Sequence, residues 1–457
     1  MSTLFKSLFF ISFILTVTAT PGFTAGKAKG FATILYTGNG SNQQIRSVGF
    51  KPDLVWIKDR GNIRYQPVVD SVRGANNVIY TNDTNAQVTL GNHILSFDDN
   101  GFSVGDGAAV NNADGSYVAW CWKADQIGVT NAIQTEKYSI DSGLSIIKYD
   151  GSSSPRILQH SLGTKPKMIM AKRLSVNSHW YIFTENTGSA NALFLNLENA
   201  VQGNTVWNNA EPTDSQITTT LSANECIAYI FSEVPGVSSF GSYVGDGIGT
   251  NLSIYCGFQP GYVVIKREDA NGNWLVFDNK RNPSNPARNL LYANSNIAEF
   301  DSTASPIYFT ATGFKITGTA HSYNASGGNY VYMAFADFDY DHSGIFAVDG
   351  KIGVGVMNPA NELEVKGTIM SQKVIVTTDP QEWPDYVFHK DYRLRSLKEL
   401  NSYIQTNKHL PGIPTAEQLS ETGLSVSDIL KLQMEKIEEL TLYIIEQDRR
   451  IRELEDE

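Results

Sequence analysis

Gly49-Phe50-Lys51-Pro52-Asp53-Leu54-Val55-Trp56-Ile57-Lys58-Asp59-Arg60 reads as a Gly/Pro turn feeding an apolar strand that ends in a basic residue. The same sentence is written twice more. Leu162-Gly163-Thr164-Lys165-Pro166-Lys167-Met168-Ile169-Met170-Ala171-Lys172-Arg173 is the second copy, and Gly257-Phe258-Gln259-Pro260-Gly261-Tyr262-Val263-Val264-Ile265-Lys266-Arg267 the third. Recurrence of this kind is the signature of a repeated unit and outranks local propensity. Each copy also closes alike, on Tyr117-Val118-Ala119-Trp120-Cys121-Trp122, Cys226-Ile227-Ala228-Tyr229-Ile230-Phe231 and Tyr330-Val331-Tyr332-Met333-Ala334-Phe335. Strands apolar at nearly every position are buried on both faces, so these are expected to be central strands. Trp56, Met170 and Ile265 are expected at equivalent core positions.

Each copy opens on a Tyr-then-Gly turn, at Tyr36-Thr37-Gly38-Asn39-Gly40, Tyr149-Asp150-Gly151 and Tyr243-Val244-Gly245-Asp246-Gly247. No Lys-Ser/Thr follows, so these are hairpin turns and not phosphate loops. Frequent glycines and aromatics over 457 residues fit about three β domains. The net charge of −11 and the lack of a basic stripe argue against nucleic acid. At the N-terminus, Lys6 followed by the apolar run Leu8 to Val17 and small residues reads as a secretory signal, cleaved after Ala19 or Ala25. The mature chain is then expected to be secreted or displayed on a cell surface, without a membrane span. Three cysteines, Cys121, Cys226 and Cys256, are too few for a disulfide framework. A Cys226–Cys256 bridge is compatible with export, and Cys121 reads as a core filler.

The expected organisation is mainly β: a signal at 1–25, three repeated β-sandwich-like modules at 26–124, 125–236 and 237–337, a β stem at 338–380, a small helical assembly region at 381–424 and an α-helical coiled coil at 425–457. The stem is drawn from Lys351-Ile352-Gly353-Val354-Gly355-Val356, Leu363-Glu364-Val365 and Val374-Ile375-Val376. In the last segment Leu430, Ile437, Ile444 and Ile451 occupy one heptad core position, and Gln433, Leu440, Gln447 and Leu454 the other. Leu430, Ile437, Leu440, Ile444, Ile451 and Leu454 are the candidate oligomerisation residues. Glutamates and basic residues beside the seam are placed for interchain ion pairs.

Several of these stretches resemble known proteins. The Gly49–Lys58 run, Asp70-Ser71-Val72-Arg73-Gly74 and the closing strand resemble a module of phage tail and fibre proteins, with no chemistry to carry over. The Gly-Ile-Gly-type stem resembles fibre stems of secreted Bacteroidetes-type proteins, in which strands of several subunits wrap together. Residues 385–457 resemble C-terminal assembly domains of tail spikes, some of which cleave themselves. Lys390 stands where that nucleophilic serine belongs and Arg395 where the lysine belongs, and an arginine stays protonated. The resemblance therefore implies assembly as a homotrimer, not proteolysis.

Catalytic motifs are missing from the sequence: it contains no metalloprotease helix, nucleophile elbow or dinucleotide fingerprint. Asp98-Asp99 and Glu211 with Asp214 are the carboxylates from which a glycan hydrolase would be built. Asp337, Asp339 and Asp341 alternate as Ca²⁺ ligands do, although His342 stands where an EF-hand needs glycine. Trp180, Trp207 and Trp274 lie outside the closing strands and are the residues to test for stacking on a sugar, with core packing the favoured reading of each. The expected function is that of a non-enzymatic exported fibre-like or adhesion protein whose modules contact a surface glycan or protein. A fibre-borne glycan hydrolase and a virion tail fibre are the alternatives.

Overall fold

The computed structural model describes residues 30–222, 224–249, 252–303, 305–336, 345–348, 351–354, 356, 360–376, 383–422 and 425–456. The signal segment and Asp337, Asp339 and Asp341 lie outside the described residues. The chain divides into two compact units, Met1–Thr368 and Ile369–Glu457.

The first unit is mainly β, with antiparallel sheets throughout its body. Its first six-stranded sheet has the spatial order Phe31–Thr37, Ser116–Trp122, Leu54–Asp59, Pro67–Asp70, Asn77–Tyr80, Val88–Thr89. A three-stranded sheet, Gln43–Arg46, Gly101–Val104 and Ile94–Asp98, covers one face. The last segment of the body follows the same order: Ser238–Val244, Asn329–Ala336, Pro260–Arg267, Leu275–Asp278, Asn289–Tyr292, Phe300–Asp301. In the middle segment Leu144–Tyr149, Cys226–Phe231, Met168–Arg173, Tyr181–Thr184, Asn191–Phe194 and Gln202–Gly203 repeat it. There a hairpin, Gln126–Thr130 and Gln134–Ser139, adds two strands outside Leu144–Tyr149 and brings the sheet to eight.

The closing strands sit between the first and third strands of each segment, buried on both faces apart from their first residue in the outer two. Register gives one correction to the expected equivalences. Trp56 stands opposite Trp120 and Met170 opposite Tyr229, but it is Val264, not Ile265, that stands opposite Met333. One residue of register carries a side chain to the other face of a sheet. Ile265 accordingly packs inside its own segment, while Trp56, Met170 and Val264 share a different core.

Two kinds of core result. Between large and small sheets each segment encloses its own cluster, around Val55 and Cys121, Ile169 and Ile230, and Val263 and Ala334. The opposite faces of all three large sheets meet in a single central core, containing Trp56, Trp120, Trp122, Met170, Tyr229, Tyr262, Val264 and Phe335. The glycines of the opening turns allow close approach: a Cβ on Gly38 would lie 2.2 Å from the Asn112 carbonyl, and one on Gly245 2.3 Å from that of Ala325.

Beyond the body, Ile345–Val348 pairs antiparallel with Lys351–Val354, which pairs in parallel with Leu363–Val365. Val374, Ile375 and Val376, expected as a stem strand, form none and are exposed. Among the described residues no strand pairs with them, and isolated strands bury too little to persist.

The second unit is helical. Ser396 and Glu399 form a capping box that starts Leu397–Asn407; Ala416–Thr422 follows. Ser425 then caps Val426–Glu455 by accepting from the Asp428 N–H. The short 3₁₀ turn Pro384–Phe388 packs on this long helix, with Tyr386 donating to Glu435 and Tyr392 to Glu439.

Candidate assembly interface

The three segments are joined by seams that repeat the same backbone bonds in cyclic order. The Gln87 N–H donates to the Leu174 carbonyl (2.8 Å), Val201 to Glu268 (2.8 Å) and Glu299 to Arg60 (2.7 Å), so first binds second, second third and third first. The basic residue that ends each strand, already visible in the sequence, belongs to these seams. Lys172 Nζ donates to the Thr84 carbonyl, Lys266 to that of Glu198 and Lys58 to that of Asn296, each crossing to the neighbouring segment. All three lysines are buried, and their hydrogen bonds go to backbone carbonyls. Burial without a bonded carboxylate pushes each ammonium down to about 8.

Two seams also carry a buried ion pair. Asp70 binds Arg73 and accepts the Tyr229 hydroxyl (2.6 Å) from the second segment. Asp278 binds Arg281 and accepts the Trp120 indole N–H (3.1 Å) from the first. In the second segment the corresponding residues are Thr184 and Thr187, bonded to one another, and the residue matching Trp120 and Tyr229 is Met333. Where the donor is missing, the charged acceptor is missing too.

These contacts overturn the sugar-stacking assignment. Trp180, Trp207 and Trp274 are buried. The Trp180 indole donates to the Tyr80 carbonyl (2.7 Å) and that of Trp274 to Phe194 (2.9 Å), both across seams. Gln66 fills the same role in the first segment, donating to the Tyr292 carbonyl (2.6 Å). Trp207 packs on Phe183 in the core of the second segment. An indole sealed in a core has no face for a sugar.

Two of the four hydrolase candidates hold local structural bonds. Asp98 accepts from Ser96 and Ser103, and Glu211 from the Ser189 N–H beside Lys165. Among the described residues no group of three or more His, Cys, Asp or Glu could hold a metal ion. Cys121, Cys226 and Cys256 are free thiols in three different segments. Burial raises all three, Cys226 to about 11 and Cys256 to about 12, which removes the thiolate that a nucleophile needs.

In the second unit, the candidate oligomerisation residues form an open stripe. Leu430, Ile437, Leu440, Ile444, Ile451 and Leu454 are between 45% and 72% exposed along one helix. Ile437 and Leu440, with Leu400, Leu410, Pro411 and Tyr443, line a cavity of about 260 Å³. The flanking charges, expected between chains, are paired within one chain: Glu446 with Arg449 and Arg450, Lys436 with Glu435 and Glu439, Asp448 with Arg452. Spacings of three and four residues, as in all of these but Glu435–Lys436, bring such side chains together on a single helix. Among the described residues, no helix is long and apolar enough to cross a membrane.

The sequence model of a domain of unknown function, DUF7483, matches residues 27–338. The chain belongs to the DUF7483 family. That region coincides with the three cyclically joined sheets and stops before the Ile345–Val348 strand. No curated protein and no solved structure matches the chain. In this member of the DUF7483 family, sequence reasoning missed the seams. Their signals were the basic residue ending each repeated strand and the paired loss of Asp/Arg and of the indole or phenol donor.

Proposed function

We propose that this chain is a non-enzymatic, exported, fibre-like structural or adhesion protein. Its DUF7483 region is read as three repeated β-sandwich-like modules that contact a surface target. The stem and the Val426–Glu455 helix join copies into a homotrimer through a coiled coil. The observation that carries the reading is the stripe on that helix: six aliphatic side chains in heptad spacing, left open along 30 residues of helix. Fully burying one such side chain contributes about 1.5–3 kcal/mol, so a lone chain forgoes on the order of 10 kcal/mol. A helix of this length gains its stability from covering its apolar face. The unpaired Val374–Val376 stretch has the same need for partner strands.

Sedimentation of the mature chain at micromolar concentration tests this. A trimer is expected. Ile437→Asp with Ile444→Asp is expected to release monomers whose β body melts at the wild-type temperature. A wild-type monomer overturns the coiled coil; a dimer keeps the seam and removes the trimer.

A further inference from the structure

The chain contains a worked example of strand addition, and one of its seams has the same geometry with the added strand missing. In the middle segment, Gln134–Ser139 pairs with the outer edge of Leu144–Tyr149, with Lys137 opposite Ile146. From that added strand Lys137 reaches into the seam, where its ammonium meets Asp53 (2.9 Å) and the Ser71 hydroxyl (3.0 Å) of the first segment. In the third segment the strand matching Leu144–Tyr149 is Ser238–Val244, and among the described residues no strand pairs with its outer edge. The position matching Ile146 is Phe240, opposite Met333 as Ile146 is opposite Tyr229. The positions matching Asp53 and Ser71 are Lys167 and Glu185, which precede Met168 and follow Thr184 as their counterparts precede Leu54 and follow Asp70. A cavity of about 180 Å³ lies there, lined by Lys167, Glu185 and Phe240 among others.

We propose that the Ser238–Val244 edge is a docking site for an extended peptide segment. The peptide adds as an antiparallel strand and sends an acidic side chain into the cavity, onto Lys167. An edge strand offers alternate N–H and C=O groups to a partner backbone, and pockets beside it select side chains. The Phe240 N–H already carries an acceptor in the exposed Glu233 carboxylate (3.1 Å), which occupies the place of an incoming carbonyl. The acidic preference follows from exchange of sign: the template pairs an incoming lysine with an aspartate, and here a lysine stands in the aspartate's place, paired with Glu185 (2.5 Å), whose carboxylate the incoming acid displaces. This deepens the reading of the body as a target-contacting surface by naming the target's class, and it does not depend on the C-terminal helix.

The probe is a fluorescent synthetic peptide with the Gln134–Ser139 sequence carrying Lys137→Glu, compared by anisotropy with the parental peptide on the full chain. The acidic peptide is expected to bind at least tenfold more tightly than the parental one. Glu233→Ala is expected to tighten it severalfold, by freeing the edge. The double variant Lys167→Asp with Glu185→Ser rebuilds the chemistry of the first seam and is expected to invert the preference towards the parental peptide. Equal binding of both peptides to wild-type protein, binding of neither, or occupation of the cavity by a monosaccharide from a neutral and acidic panel that displaces the peptide overturns the proposal. The wild-type comparison stands whether or not the double variant folds. Loss of peptide binding with the oligomer intact refutes this site alone, whereas a monomer that still binds peptide refutes the coiled coil alone.

Discussion

Neutralising Asp70 should destabilise the body far more than neutralising Asp278, although the two occupy equivalent places. Both carboxylates are fully buried against an arginine that is also fully buried. In both, Asp→Asn keeps the side-chain oxygen that receives the turn N–H groups and loses the charge together with the second acceptor oxygen, so the difference between the two variants reports the remaining counter-ion. After Asp70→Asn, Arg73 retains the carbonyls of Val68 and Asn77, the Gln87 amide and the Tyr229 hydroxyl, none of them anionic. A buried charge stripped of its counter-ion costs about 3–5 kcal/mol. After Asp278→Asn, Arg281 still holds the Glu299 carboxylate at 2.9 Å, so the loss approaches that of a single charged hydrogen bond, about 1.5–3 kcal/mol. At roughly 2 °C per kcal/mol for a body of this size, Asp70→Asn lowers Tm by about 6–10 °C and Asp278→Asn by about 3–6 °C. Thermal melting at neutral pH, followed by circular dichroism, measures both. Equal drops, or a larger drop for Asp278→Asn, would refute the account of Glu299 as the second counter-ion.

The seam lysines predict a pH dependence of opposite sign to that of Glu268. Each lysine's folded value of about 8 lies below the unfolded value near 10.4. The unfolded chain therefore holds more protons between these values, and stability rises with pH through that window. Lys172→Met should flatten this rise in pH-dependent melting relative to wild type. Glu268 is 5% exposed, accepts only from Asn186, and is pushed up to about 7 by burial. Stability should accordingly fall as pH climbs from about 4.5 through 7, and Glu268→Gln should abolish that part of the fall. Mass spectrometry of the incubated mature chain should find it intact at Lys390; a fragment beginning at Asp391 would restore the protease that the replaced serine removes.

The strands of the body were legible because their chemistry is local. The Pro-to-strand spacing and the closing runs located the third and last strand of every segment, and the heptad located the long helix. Uninterrupted burial of the closing strands was legible as well, but not what covered the second face. Period-two patterning reports that both faces are buried and is silent on whether a small sheet or a neighbouring segment does the covering. The seam bonds of Trp180 and Trp274 were missed for that reason: their indoles satisfy carbonyls of other segments, more than 70 residues away in sequence. Gln66 was missed because its residue type differs from theirs although its role is the same. The open edge at Ser238–Val244 was invisible because an edge is defined by the absence of a neighbour.

The three seams share their backbone bonds but not their side chains, and this gives the ring a direction and an order. Trp120 finds an acceptor at Asp278, Tyr229 finds one at Asp70, and Met333 stands where Thr184 and Thr187 satisfy each other. Were one segment to take the place of a different one, a Met would meet a buried carboxylate, or an indole would meet two hydroxyls already spoken for. The mismatched seams work as an address system, fixing which segment follows which around the ring.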